Sequence, residues 1–208
     1  MIDRNIRTAR IHLASRSPRR RELLSQMAVN FDSIVFRNPP RHDPEVDETP
    51  QALETPSLYV ERLARAKAEH GARIVGWRNL QQQPVLAADT ALELAGEIIG
   101  KPQGADDAER ILHALSGQTH RVLTAIALAF DGRLESALSV SAVRFARLDD
   151  AEIRRYVATG DPLDKAGAYG IQGRAALFVE HLSGSYTGVM GLPLFETGAL
   201  LKRFGYTL

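Results

Sequence analysis

The segment LASRSPRRRELL, residues 13–24, concentrates two serines and four arginines where an apolar run gives way to an amphipathic pattern. A helix N-terminus presents unpaired backbone N–H groups and a partial positive charge, to which serine hydroxyls and guanidinium groups here add further donors. Arginines in a first turn oppose the helix dipole, so a purely structural helix gains little from them. The segment therefore predicts a phosphate site; a nucleic-acid backbone and a solvated helix start are the alternatives.

Carboxylates and lysines elsewhere in the chain complete a chemically coherent set. Asp89 and Thr90 follow the apolar run PVLAA, at a strand end of the kind where α/β sheets present active-site groups. An acidic stretch between two prolines contains Glu45, Asp47, Glu48 and Glu54. With the cationic turn, these residues suit metal-assisted phosphoanhydride hydrolysis, in which an aspartate polarises the attacking water. The alternatives are a turn aspartate at position 89 and a solvated acidic loop.

Several other chemistries are excluded by missing patterns. The chain has no cysteine, so disulfides, thiolate metal sites and a cysteine nucleophile are ruled out. The six histidines show no zinc-ligand spacing, and Ser183-Gly184-Ser185 is more simply a turn than a nucleophile elbow. Neither a Walker loop nor a dinucleotide-binding glycine fingerprint occurs.

Composition limits the partners of this protein. The 208 residues are 44% hydrophobic, and 26 lysines and arginines oppose 25 acids for a net charge of +1. So small a net charge creates no global field that would attract nucleic acid or an anionic membrane. No signal peptide or run of about 18 apolar residues is present. We expect a cytoplasmic protein with neither a nucleic-acid nor a membrane partner.

Strand and helix patterns alternate along the chain. The apolar and alternating runs predict strands at residues 9–14, 31–36, 84–89, 119–130, 135–146 and 175–182. The helical patterns lie in residues 17–27, 57–77, 105–117, 149–160 and 192–205. Hairpin turns are predicted at Ala95-Gly96 and Asp131-Gly132, an exposed loop at 37–56 and a glycine-rich loop at 161–173. This order predicts one mixed α/β domain over residues 1–208, with two lobes around a central cleft.

Eight motifs occur in a fixed order between Ile11 and Phe204: LASRSPRRRELL, VDET, YVERLARAKA, AADT, GKP, LSGQTHRVLT, YVATGDPLDKAGAYGIQG and GSYTGVMGLPL. In these motifs and in their order the sequence resembles the Maf family of nucleoside triphosphate pyrophosphatases. The resemblance implies a mixed, twisted sheet flanked by helices, related to the inosine triphosphatase fold. It also implies a requirement for Mg²⁺ or Mn²⁺, and a nucleoside monophosphate and pyrophosphate as products.

The resemblance assigns roles position by position. The general base falls on Asp89 and the cleft glutamate on Glu48, and these two carboxylates would also hold the metal. Phosphate contacts fall on Ser15, Arg19, Arg20, Lys67 and Lys101, of which Lys101 also counts as catalytic. Base selection falls on Arg19, Thr90 and Gln172.

Within the family, SPRR, ADT and AYGIQG are typical of the branch associated with dTTP and UTP, and this chain has all three. The branch associated with 7-methyl-GTP has Trp before the second Arg, Gln after the Asp, and Glu in place of the Gln. A carboxamide at Gln172 can face both the N3–H and a carbonyl of uracil or thymine, whereas a glutamate only accepts. The alternative is that Gln172 has only a structural role and stabilises its loop.

Two departures from the family pattern stand out. Ala87 occupies a position where the family usually has Gly, and the loop at residues 37–56 is longer than usual. The resemblance implies a house-cleaning role in removing nucleotides, normal or modified, and is compatible with a homodimer. It also carries an alternative, a nucleotide-binding regulator of septum formation without significant turnover.

Overall fold

The computed structural model describes residues 10–36 and 46–208. Its strands are β1 (Arg10–Leu13), β2 (Asn30–Ser33), β3 (Val85–Leu94), β4 (Glu97–Ile99), β5 (Thr119–Phe130), β6 (Arg133–Phe145) and β7 (Val179–Ser183). Its helices are α1 (Pro18–Gln26), α2 (Pro56–Trp77), α3 (Ala105–Leu115), α4 (Asp150–Val157), α5 (Tyr186–Val189) and α6 (Leu194–Arg203). Short 3₁₀ segments cover Asp161–Asp164, Ala166–Ala168 and Arg174–Phe178.

The strands form one mixed sheet in the order β2-β1-β3-β5-β6-β7, with β4 paired to β3. The β1 strand runs parallel to both β2 and β3. In the series β3, β5, β6 and β7, each strand is antiparallel to the next. The two predicted hairpins are present, between β3 and β4 and between β5 and β6. The predicted mixed α/β fold is therefore confirmed, while the division into two lobes stays a prediction.

Alternate residues of the central strands bury two opposite faces of the sheet, as the pleat requires. On one face, Ala87 and Ala125 pack with the buried residues of α2. On the other, Ala88 and Ile126 pack with α1 and α6. A third apolar cluster surrounds Phe145 and is covered by α3 and α4. The side chains of neighbouring residues in β3 therefore pack against different helices.

Three strand predictions were wrong at their boundaries. The strand predicted at 31–36 is β2 at Asn30–Ser33, because its partner β1 ends at Leu13 and offers no further pairing. The run at 175–182 begins as a 3₁₀ turn, in which Ala175 and Phe178 both enter the core at a spacing of three. The strand that was predicted to end at Asp89 continues through Leu94, so Asp89 lies inside β3.

Among the helices in the described ranges, none combines the length and the apolar character that a bilayer crossing requires.

Candidate active site

A gap along one edge of β3 creates the site. The β5 strand pairs with one edge of β3 from Val85 to Glu93. On the other edge, β1 pairs only as far as Leu86 and β4 starts only at Leu92. Residues 87–91 therefore lack a neighbour on that side among the described strands, and Asp89, Thr90 and Ala91 line an open cavity there.

The cavity has a volume of about 1210 Å³, slightly above the usual range of small-molecule sites, about 300–1,000 Å³. All of the residues to which the resemblance assigns a role line it: Ser15, Arg19, Arg20, Glu48, Lys67, Asp89, Thr90, Lys101 and Gln172. Among the described residues, six cationic and four acidic side chains border the cavity. The balance is locally positive in a chain that is nearly neutral, which suits a polyanionic ligand.

The cationic turn begins α1 as predicted. Ser17 is the N-cap, and its hydroxyl accepts a hydrogen bond from the backbone N–H of Arg20 at 3.4 Å. Pro18 occupies the first helical turn, where its missing N–H costs nothing. Ser15 Oγ accepts from the Ser17 N–H at 3.1 Å, so its own hydroxyl proton stays available to a ligand. The Arg19 side chain forms no hydrogen bond or ion pair within the described residues, although it lines the cavity.

Arg20 fastens α1 to the open edge of β3. Its guanidinium donates to the Ala88 carbonyl at 2.7 Å, to Thr90 Oγ1 at 3.1 Å and to the Gly191 carbonyl at 2.8 Å. The Ala88 carbonyl would otherwise lack a ladder partner at the gap. Burial lowers the pKa of Arg20, while Asp89 acts in the opposite direction. Three of the five guanidinium N–H groups are thus used within the protein, and two remain for a phosphate.

Thr90 takes part in a directed relay of hydroxyl groups. Thr90 Oγ1 lies 3.0 Å from Thr124 Oγ1, its cross-strand partner on β5. Thr124 is fully buried and donates its proton to the Gly188 carbonyl at 2.7 Å. Since each hydroxyl has one proton, Thr90 must donate to Thr124 while it accepts from Arg20. The Thr90 hydroxyl is therefore occupied in positioning Arg20 and has no proton left for a nucleobase.

Asp89 faces the opposite side of the sheet and meets α2. Lys67 Nζ lies 2.6 Å from Asp89 Oδ1 and 2.6 Å from Glu48 Oε1. The Asp89 side chain is 11% exposed, whereas that of Glu48 is 59% exposed toward the cavity. No described residue forms a hydrogen bond with Asp89 Oδ2. One lysine thus gathers two carboxylates at the cavity wall and leaves an aspartate oxygen able to accept a proton.

Hydrogen bonds to the backbone around Glu48 hold this segment in place, in addition to the ion pair of its side chain with Lys67. The Tyr59 hydroxyl donates to the Glu48 carbonyl at 2.9 Å, and Arg62 donates to the carbonyl groups of Asp47 and Thr49 at 3.1 Å. Burial alone would raise the pKa of Glu48, but Lys67 and other cations outweigh it and lower the pKa. Of the acidic stretch, Glu48 reaches Lys67, Glu54 pairs with Arg62 instead, and Glu45 lies outside the described residues.

The far side of the cavity is formed by the glycine-rich loop. Gln172 lines it with an exposed side chain, and Lys101 approaches from the end of the β3–β4 hairpin. Sequence reasoning missed Lys165 and Tyr169, which line the cavity within the same loop. The motif YVATGDPLDKAGAYGIQG contains both residues, but the resemblance assigns a role only to the Gln in it.

The donor set is compatible with a hard divalent cation. In the described ranges, no three His, Asp or Glu side chains form a group that could hold a metal ion alone. Mg²⁺ commonly takes only one or two protein carboxylates and completes its coordination with water and substrate phosphates. Glu48 and Asp89, which converge on Lys67 beside the open cavity, supply that number of carboxylates.

Comparison with known proteins agrees with this geometry. A family model described as "Maf-like protein" matches residues 10–204. A "dTTP/UTP pyrophosphatase" of Aromatoleum aromaticum is 64% identical over 201 residues, which cover 96% of this chain and 98% of that protein. One of Dechloromonas aromatica is 62% identical over 197 residues, covering 95% and 98%.

Among solved structures, the Ham1 protein of Staphylococcus aureus matches with a TM-score of 0.49 and 16% identity, over 94% of this chain and 97% of that one. The family model matches nearly the whole chain, and the two relatives share more than 60% of their residues with it over almost their full lengths. The protein therefore belongs to the Maf-like family.

Proposed function

We propose that this protein hydrolyses dTTP and UTP to the nucleoside monophosphate and pyrophosphate. The observation that carries the proposal is the meeting of Asp89, Lys67 and Glu48 opposite a cationic helix start in one cavity. The names of relatives that are 64% and 62% identical over nearly their full lengths support the same reaction. A house-cleaning role in removing surplus or modified pyrimidine nucleotides follows from such an activity.

The triphosphate would lie against the N-terminus of α1. The donors there are the backbone N–H groups, the Ser15 hydroxyl, and the N–H groups of Arg19 and Arg20 that have no acceptor among the described residues. A phosphate chain offers these donors only acceptors. Lys101 supplies a further positive charge at the hairpin side of the cavity. These contacts recognise phosphate oxygens and do not distinguish one base from another.

In this reaction Asp89 would serve as the general base. Its Oδ1 is held by Lys67, and Oδ2 is available to accept a proton from the attacking water. The water oxygen forms a bond to phosphorus, the phosphorus–oxygen bond of the α–β bridge breaks, and pyrophosphate leaves with the bridging electron pair. Lys67 and Lys101 oppose the negative charge that develops on the phosphate oxygens.

A divalent cation, Mg²⁺ or Mn²⁺, would be held by Glu48 and Asp89 together with the phosphate oxygens. When bound, it would supply charge neutralisation and polarise the phosphoanhydride. Turnover should therefore be lost in EDTA and restored by either ion. The Glu48 carboxylate, which is exposed toward the cavity, would be the more accessible of the two protein ligands.

The deciding experiment is pyrophosphate release from a panel of nucleoside triphosphates in ¹⁸O-water. We expect dTTP and UTP to give the monophosphate and pyrophosphate, and the label shows which phosphorus was attacked. Orthophosphate as the first product would refute the pyrophosphatase assignment. Tight nucleotide binding without turnover of any substrate would instead favour the septum-regulator alternative. The same preparation tests, by its sedimentation, the prediction of a homodimer.

A further inference from the structure

Lys165 lies in the glycine-rich loop, between the 3₁₀ segments Asp161–Asp164 and Ala166–Ala168, and lines the cavity. Its side chain is 14% exposed. Its ammonium group donates to the Asp161 backbone carbonyl and, at 2.6 Å, to Asp164 Oδ1. An ammonium group has three N–H donors, so one donor of this lysine has no acceptor among the described residues.

The stem of Lys165 crosses the backbone of Gly170. A Cβ atom at Gly170 would lie 2.9 Å from Lys165 Cε and 3.0 Å from Cδ, which is closer than real Cβ contacts allow. The backbone of Gly170 does not have a positive φ, so the glycine is not needed here for its conformation. Its missing side chain leaves the space through which the lysine stem passes, and a larger residue would force the end of that stem to shift.

The same position brings Lys165 beside Gln172. Gln172 Oε1 lies 3.5 Å from the Cβ position that would collide with Lys165. The end of the lysine stem and the carboxamide oxygen of Gln172 therefore both lie beside Gly170 on the wall of the cavity. Together they present a donor, an acceptor and a donor, since lysine only donates and a carboxamide does both.

Uracil and thymine carry the complementary edge: a carbonyl, the N3–H and a second carbonyl. Guanine presents one acceptor and two donors, and cytosine presents one donor and two acceptors, so neither matches all three groups. Sites that hydrogen-bond a substrate edge reject analogues that leave their polar groups unpaired. The pair of side chains thus has the pattern that selects uracil and thymine.

We propose that Lys165 is a specificity-determining residue, whose third N–H donates to the pyrimidine carbonyl that Gln172 leaves unpaired. The inference rests on the proposed hydrolysis of dTTP and UTP and identifies the partner of their second carbonyl. It also assigns Gly170 the task of letting the lysine reach that position.

The test compares kcat/KM of the wild type and Lys165→Met for UTP, 2-thio-UTP, 4-thio-UTP and GTP. Loss of a hydrogen bond from a charged donor should lower the value for UTP about tenfold or more, with little change for GTP. Sulfur is a weaker hydrogen-bond acceptor than oxygen. The thio-analogue with sulfur at the carbonyl that Lys165 contacts should therefore have a lower kcat/KM than UTP in the wild type. That impairment should shrink in Lys165→Met. Lys202→Met, an exposed change on α6, is the matched control.

The proposal would be overturned if Lys165→Met lowered kcat/KM equally for UTP and GTP and left the difference between UTP and each thio-analogue unchanged. Lys165 would then only stabilise the loop. Asp164→Asn distinguishes the same two roles. If Lys165 only stabilises the loop, this variant should have the same kinetic defect as Lys165→Met. If Lys165 contacts the base, the ratio of kcat/KM for UTP to that for GTP should be unaltered. If Lys165→Met fails to fold, Lys165→Gln, which is shorter and uncharged, takes its place in the same comparison. Failure of the wild type to hydrolyse UTP would refute the proposed function, which is a different result.

Discussion

At the scale of single residues, Asp89 carries the sharpest expectation. Its Oδ1 accepts from Lys67 at 2.6 Å, and Oδ2 is the atom to which we assign the proton of the attacking water. Asp89→Asn keeps the size of the side chain and removes the base, so kcat for UTP should fall by about 10²-fold or more. Asp106→Asn, an exposed change on α3, should leave kcat unchanged. Wild-type turnover in a folded Asp89→Asn protein would remove Asp89 from this role.

Gln172 carries a prediction about base choice. Gln172→Glu replaces a donor and acceptor with a group that only accepts, and sets a carboxylate against a pyrimidine carbonyl. The kcat/KM ratio of UTP to 7-methyl-GTP should therefore fall, chiefly through loss of UTP. If Gln172 merely braces its loop, both substrates should suffer alike and the ratio should stay constant.

Many of the residues that border the cavity could be predicted from the sequence, but their hydrogen-bond partners could not. The positions of Asp89, Glu48 and Gln172 in ordered motifs placed them in the cleft. The acceptors of Arg20, by contrast, lie 68 and 171 residues away along the chain, where only the folded sheet brings them close. For the same reason, the sequence could not show that the Thr90 hydroxyl donates to Thr124, and the role of Thr90 in base selection stays a prediction.

At the scale of elements, one relay of hydrogen bonds joins four of them. Arg20 of α1, Thr90 of β3, Thr124 of β5 and the Gly188 carbonyl of α5 are connected in series. The relay crosses the sheet beside the gap along β3 and fixes how α1 presents its N-terminus. Its buried member, Thr124, does not itself line the cavity and acts through Thr90, so it is a positioning residue.

Thr124→Val keeps the shape of the side chain but leaves the Thr90 proton and the Gly188 carbonyl without partners. The free energy of unfolding should fall by about 1–3 kcal/mol. Because Arg20 loses its support, KM should rise by a similar factor for every nucleotide, with a smaller change in kcat. Thr197→Val offers a matched control, since Thr197 is fully buried and donates to the Pro193 carbonyl in α6. Thr197→Val should lose stability without a change in KM. Thr124→Ser keeps the hydroxyl group and should have a KM close to that of the wild type.

The element boundaries that sequence patterns missed follow from pairing and packing. Alternation in residues 31–36 favours a strand, but a strand needs a neighbour, and β1 stops at Leu13. The β3 strand extends past Asp89 because β5 pairs with it through Glu93. A gap in one edge of a continuous strand is what opens the site, and no local pattern in β3 reveals it.

At the scale of the whole molecule, a buried aromatic cluster joins the glycine-rich loop to the sheet. His120 on β5 is 1% exposed, and its Nε2 lies 2.8 Å from the hydroxyl of the cavity-lining Tyr169. Both rings pack edge-on against Phe145 of β6. Stability of the core and placement of the loop that contains Lys165 and Gln172 are therefore coupled through this cluster.

That coupling makes stability sensitive to pH. Burial lowers the pKa of His120 to about 4, whereas an unfolded chain binds the proton below about 6.5. Between these values the unfolded state holds more protons than the folded one, so the free energy of unfolding should fall as the pH falls from about 6.5 to about 4. The slope from this group alone approaches about 1.4 kcal/mol per pH unit.

His120→Gln cannot titrate and keeps an amide donor within reach of the Tyr169 hydroxyl, so it should flatten the pH dependence across this window. Urea unfolding at pH 7, 6, 5 and 4 of both proteins measures the difference directly. At pH 7 the variant should be the less stable of the two, because its side chain packs less well against Phe145, and the gap should narrow toward pH 4. Parallel curves for the two proteins would mean that His120 does not stay neutral in the fold, and that the acid sensitivity arises elsewhere.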